Sequence, residues 1–69
     1  MPIIQSILFD KSIFDTLSSK KWMREHGVEP IKKVHKTTNF LRYRLKNPPK
    51  NKEYVTVEYE KGVKLVLVY

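Results

Sequence analysis

No cysteine occurs in the chain, which excludes disulfides and thiolate zinc sites and fits a reducing compartment. The longest unbroken apolar run, Leu65 to Tyr69, is far short of the ~20 residues a bilayer helix needs, so no membrane association is expected. The start, Met1 to Phe9, lacks a basic leader and a small-residue cleavage site and is read as folded structure, not as a signal peptide. No repeat, low-complexity segment or domain linker divides the sequence, which reads as one domain over residues 1–69. The most informative absence is of negative charge. From Pro30 to Lys52 there is no Asp or Glu.

That acid-free block holds Lys32, Lys33, Lys36, Arg42, Arg44, Lys46, Lys50 and Lys52, with Phe40 and Tyr43 among them. A solvated surface normally mixes both signs, so a one-signed stretch creates a field that concentrates phosphate and speeds its association. The overall charge of +7 points the same way. A chain of 69 residues buries only about 60% of its unfolded surface, which leaves little room for an enclosed catalytic cavity.

The residues predict an α+β domain in the order β-α-β-β-β-β, one helix packed on a sheet. Ile3 to Phe9 is rich in β-branched and bulky apolar residues and ends in the polar Asp10-Lys11-Ser12, a strand and a turn. Asp15 is placed to cap a helix running to His26, and Gly27 to close it in the left-handed conformation with Val28 folded back on Met23. Ser19, Trp22, Met23 and His26 share one helical face. After Pro30 everything reads as strand: Ile31 to Lys36, Phe40 to Lys46, Tyr54 to Glu60 and Val63 to Tyr69, at hairpin distances, with Lys61-Gly62 as a tight turn. Alternation in the middle strand sends Leu41, Tyr43 and Leu45 one way and Phe40, Arg42, Arg44 and Lys46 the other. The last strand is apolar on both faces. One helix cannot cover both, so either the sheet curls on itself or its second face meets a partner or a second copy of the chain, and a homodimer with Val66 or Val68 near its interface is expected.

Arg42 and Arg44 are the strongest candidates for contacting a ligand. Two apart on a strand, they project about 7 Å from each other, close to the spacing of neighbouring phosphates on a nucleic-acid strand. Phe40 on the same face could stack or wedge. The competing account pairs both arginines with Glu58 or Glu60 on an adjacent strand. Trp22 is read as core before base-stacking platform, and His26 as a cap on the helix C-terminus. His35 has no carboxylate to orient it as a base. Asp10, Asp15, Glu53, Glu58 and Glu60 could gather as an acidic cluster, but lack a recognised ligand or nuclease spacing, so solvated positions are expected. Neither a metal nor another cofactor is predicted.

Several segments together resemble a known domain. They are Phe9-Asp-Lys11, Lys20-Lys-Trp22-Met with His26-Gly27, Val34 with Thr37-Thr-Asn-Phe40-Leu-Arg-Tyr-Arg44, and Gly62-Val-Lys-Leu-Val66. The chain resembles a small domain of tailed bacteriophages and large DNA viruses, whose pattern runs A-x-x-W-[LM]-x-x-H-G, T-x-N-[FY]-x-R-[FY]-R and G-[VI]-K-x-V. Ser19 stands where Ala is usual, and Tyr54-Val-Thr-Val57 where a further Arg-Thr pair is usual. The resemblance implies a viral setting and no particular reaction.

The resulting expectation is a non-enzymatic, basic nucleic-acid-binding protein, for DNA before RNA and mainly through backbone phosphates. Its site residues are Lys32, Lys33, Lys36, Phe40, Arg42, Arg44, Lys46, Lys50 and Lys52. The alternative is a virion or assembly component that acts through self-association or another protein.

Overall fold

The computed structural model describes residues 3–47 and 53–69. Strand β1 (Ile3–Asp10) is followed by helix α1 (Thr16–Glu25) and then by β2 (His35–Lys36), β3 (Phe40–Arg44), β4 (Tyr54–Glu60) and β5 (Val63–Val68). The α+β order predicted from the sequence is the order observed. All strand pairs are antiparallel, and the sheet runs β2-β3-β1-β5-β4.

Local chemistry sets the helix limits. The Asp15 carboxylate accepts from the Ser18 N–H at 2.8 Å while the Ser18 hydroxyl accepts from the Asp15 N–H at 3.0 Å, a reciprocal capping box. At the other end Gly27 has φ of +67°. The Val28 N–H reaches the Met23 carbonyl at 2.8 Å and the Gly27 N–H the Arg24 carbonyl at 3.2 Å, a Schellman ending. His26 lies against the same end, with Nδ1 2.8 Å from the Trp22 carbonyl and its ring stacked on the indole at 3.8 Å.

The backbone and hydroxyl of Ser18 hold the Asp15 carboxyl below its ordinary range. A depressed pKa contributes stability that is complete above the unfolded value and is lost as pH falls through the folded one. Asp15→Asn, which keeps an acceptor but removes the titration, should therefore flatten the fall in melting temperature below about pH 4. Identical acid limbs for parent and variant would refute this.

The core forms where the helix meets one sheet face. Register places Ile7 between Tyr43 and Leu65, and Phe9 between Leu41 and Val63. All six are buried, together with Met23 from the helix. Phe9 meets Phe14, Trp22 and Tyr43 edge-on at 5.0, 5.5 and 5.6 Å. Trp22 is only half-buried because its indole N–H reaches out to the Glu60 carboxylate. Within this core the buried Ser19 and Tyr43 hydroxyls bond at 2.7 Å, and the Ser19 hydroxyl also donates to the Thr16 carbonyl at 2.9 Å, which satisfies both groups.

The order of the strands corrects the expected succession of hairpins. β3 and β4 do not pair, because β1 and β5 lie between them. Strand β5 is apolar on both faces and so belongs in the interior of the sheet, whereas β4, which carries Glu58 and Glu60, tolerates an edge. Val66 and Val68 are 8% and 5% exposed within the single chain, so they are not the open dimer surface expected of them. Ser6 and Thr56 flank Val66, and Ile3 and Tyr54 flank Val68. Bulges at Gln5 and Tyr59 sharpen the local twist of the sheet. The strand expected over Ile31 to Lys36 shrinks to His35–Lys36, since it is an edge following Pro30 and, among the described residues, has only one further backbone bond to β3, from Ile31 N–H to the Arg44 carbonyl.

Gly62 closes the β4–β5 hairpin with φ of +83°, and a Cβ there would lie 2.9 Å from Ile13 Cδ1 and 3.1 Å from Phe14 Cε2. At Gly27 a Cβ would meet nothing within 4 Å. Gly62→Ala should therefore cost about 2–3 kcal/mol by chemical denaturation, and Gly27→Ala only about 1 kcal/mol. Equal losses would mean that the packing of Ile13 and Phe14 against the turn contributes nothing.

Candidate nucleic-acid interface

Alternation along β3 puts Leu41 and Tyr43 into the core and Phe40, Arg42 and Arg44 onto the face away from the helix, all three half-buried. Across the ladders this face continues with His35 beside Arg42, Leu8 on the other side of Arg42, Ser6 beside Arg44, and Lys64 beside Leu8. Arg42, Arg44, His35 and Lys64 thus share one surface with Phe40. The Lys64 ammonium sits over the Phe40 ring at 5.2 Å, a cation–π contact. Phe40 therefore supports Lys64 on this face.

The β1 bulge shapes the floor of this surface. Gln5, 1% exposed, donates from Nε2 to the Lys46 carbonyl at 2.9 Å and accepts at Oε1 from Ser6 Oγ at 2.5 Å. Arg42 Nη2 approaches the same Oε1 at 3.4 Å, while its Nε is buried without a hydrogen-bond partner among the described residues. The guanidinium is thereby laid over the bulge instead of projecting freely. Nothing in the local sequence around Arg42 signals this contact, since Gln5 is far away along the chain.

The competing ion-pair account fails on topology. Glu58 and Glu60 lie on β4, and β1 and β5 separate that strand from β3. Glu58 instead faces Lys64 across the β4–β5 ladder, and Glu60 accepts from Trp22 on the helix side. Asp15 caps the helix, whereas Asp10 stands opposite Phe40 on the same face as the arginines, where it accepts from the hydroxyl and N–H of Ser12 at 2.7 and 2.8 Å. The Ser12 hydroxyl and N–H, with Lys64 contributing, hold the Asp10 carboxyl below its ordinary range. Among the described residues no three His, Asp or Glu side chains gather to hold a metal ion.

The acid-free block is not one surface. Lys36 pairs with Leu41 on the helix side and lines a groove with Lys11, Phe14 and Thr16. Lys32 and Lys33 line another groove with Lys20, Ile31 and Tyr43. Lys46 is exposed just beyond β3, and Lys50 and Lys52, with the Pro48-Pro49 loop, lie outside the described residues. Among the described residues the structure brings together Phe40, Arg42 and Arg44, sets Lys32, Lys33 and Lys36 along grooves shared with helix residues, leaves Lys46 just beyond β3, and adds Lys64. Strand alternation alone could not find Lys64, because its membership depends on which strands are neighbours.

No protein-family model, curated protein or solved structure matches the chain.

Proposed function

We propose that this chain is a non-enzymatic nucleic-acid-binding module that holds the phosphate backbone of DNA against the helix-free face of its sheet. The observation that carries this reading is that Arg42 and Arg44 adjoin on that face, two strands away from the β4 carboxylates, with Lys64, which faces Glu58, beyond them. Residues two apart on a strand lie about 7 Å from each other, a backbone spacing that suits successive phosphates, and a guanidinium binds phosphate oxygens through the N–H groups that are not committed elsewhere. Contacts of this kind position a protein on nucleic acid without reading its sequence. The resemblance to a domain of tailed bacteriophages and large DNA viruses supports a viral setting.

A fluorescence titration against duplex DNA, single-stranded DNA and RNA at two salt concentrations tests the proposal. Salt-sensitive binding, strongest to DNA and indifferent to base sequence, is the expected result. Absence of binding at low salt would reject it in favour of the second reading, an assembly component, which the exposed edge strand β4 supports.

A further inference from the structure

We infer that β4 is a self-association edge that pairs antiparallel with β4 of a second copy, about a two-fold axis through Val57. The inference is independent of nucleic-acid binding. β4 terminates the sheet, and every one of its residues is exposed. Its backbone direction follows from the ladder. The Tyr69 N–H donates to the Glu53 carbonyl at 3.2 Å, so Glu53 turns its backbone groups toward β5, and by alternation so do Val55 and Val57. Thr56 and Glu58 then turn theirs away from the sheet, toward whatever strand adjoins.

The helix covers only part of its sheet face. Ile4, Val55, Val57 and Tyr59 are 37%, 41%, 37% and 56% exposed, and register with Trp22 packing puts all four on the helix side. A two-fold axis at Val57 sets that valine against its own copy in a close, non-hydrogen-bonded pair. It also places Thr56 opposite Glu58, where the outward backbone groups of both can bond. Charge selects this register. No carboxylate faces another carboxylate, and Glu53 of one copy is directed toward the end of the strand where Lys61 of the other lies. Rotating about Thr56 instead would set Glu53 against Tyr59 and lose that attraction.

A single strand pair is smaller than the interface of about 1,600 Å² typical of tight complexes, so a micromolar Kd is expected. Sedimentation equilibrium of the full chain from about 1 to 300 μM tests this range. The expected result is a reversible dimer of the 8.3 kDa chain. Thr56→Pro removes an outward N–H without touching the β5 ladder, and Val57→Lys places two ammonium groups in contact. Each should raise Kd at least tenfold and leave the melting temperature of dilute monomer unchanged; should Thr56→Pro fail to fold, Val57→Lys decides. A parent that stays monomeric throughout, leaving the edge to a strand of another protein, overturns the inference, as does a dimer that Val57→Lys does not weaken.

Discussion

Phe9→Ala is expected to remove roughly a third or more of the stability of the domain, about 3–5 kcal/mol of about 3–10 kcal/mol. The ring is fully buried at the meeting point of the helix, β1 and β3, and touches Phe14, Trp22 and Tyr43 edge-on. Truncating a buried Phe costs about 3–5 kcal/mol, through lost transfer energy and the cavity left behind. At 0.05–0.15 kcal/mol per residue, a domain of this size has only about 3–10 kcal/mol in total. Trp22→Ala should be milder, because half-burial leaves less to lose and its indole N–H bonds an exposed carboxylate. Urea denaturation followed by far-UV circular dichroism measures both. A Trp22 variant less stable than the Phe9 variant would move the centre of the core from β1 to the helix.

Replacing Arg42 and Arg44 together with Gln should have the largest effect on binding. The helix-free face carries Arg42, Arg44 and Lys64, with Lys46 just beyond β3. Four phosphate contacts correspond to a slope of about −3.6 in log affinity against log salt on duplex DNA. Had the eight cations of the acid-free block acted as one surface, with four to six contacts at once, the slope would lie between about −3.6 and −5.4. The double variant should flatten it by about 1.8, two contacts' worth. Both side chains lie on the face away from the helix-side core, so the fold should persist.

Lys64 cannot serve in a control, since it shares the face. Lys21 and Arg24, both exposed on the helix, provide one with an equal change in net charge, and their replacement by Gln should leave the slope almost unaltered. Equal weakening by the two double variants would mean that the attraction is only net charge, with no defined surface.

What the sequence determined by itself is what depends on neighbours along the chain. Asp15 and Ser18 close a capping box three residues apart, Gly27 and Val28 end the helix, and Gly62 turns the last hairpin. Each uses bonds within one turn, so residue type and spacing suffice. Alternation likewise separated Leu41 and Tyr43 from Arg42 and Arg44, because a strand has only two faces. The tertiary structure alone decided which strands are neighbours. Placing β1 and β5 in the interior buries Ile7, Phe9 and both faces of β5 at once, a gain that belongs to the whole sheet and to no single segment. From that choice follow the separation of Arg42 from Glu58, the arrival of Lys64 beside Phe40, the contact of Arg42 with Gln5, and the exposure of β4. The acid-free block marked where positive charge is plentiful, but pairing across long loops settled which charges share a surface.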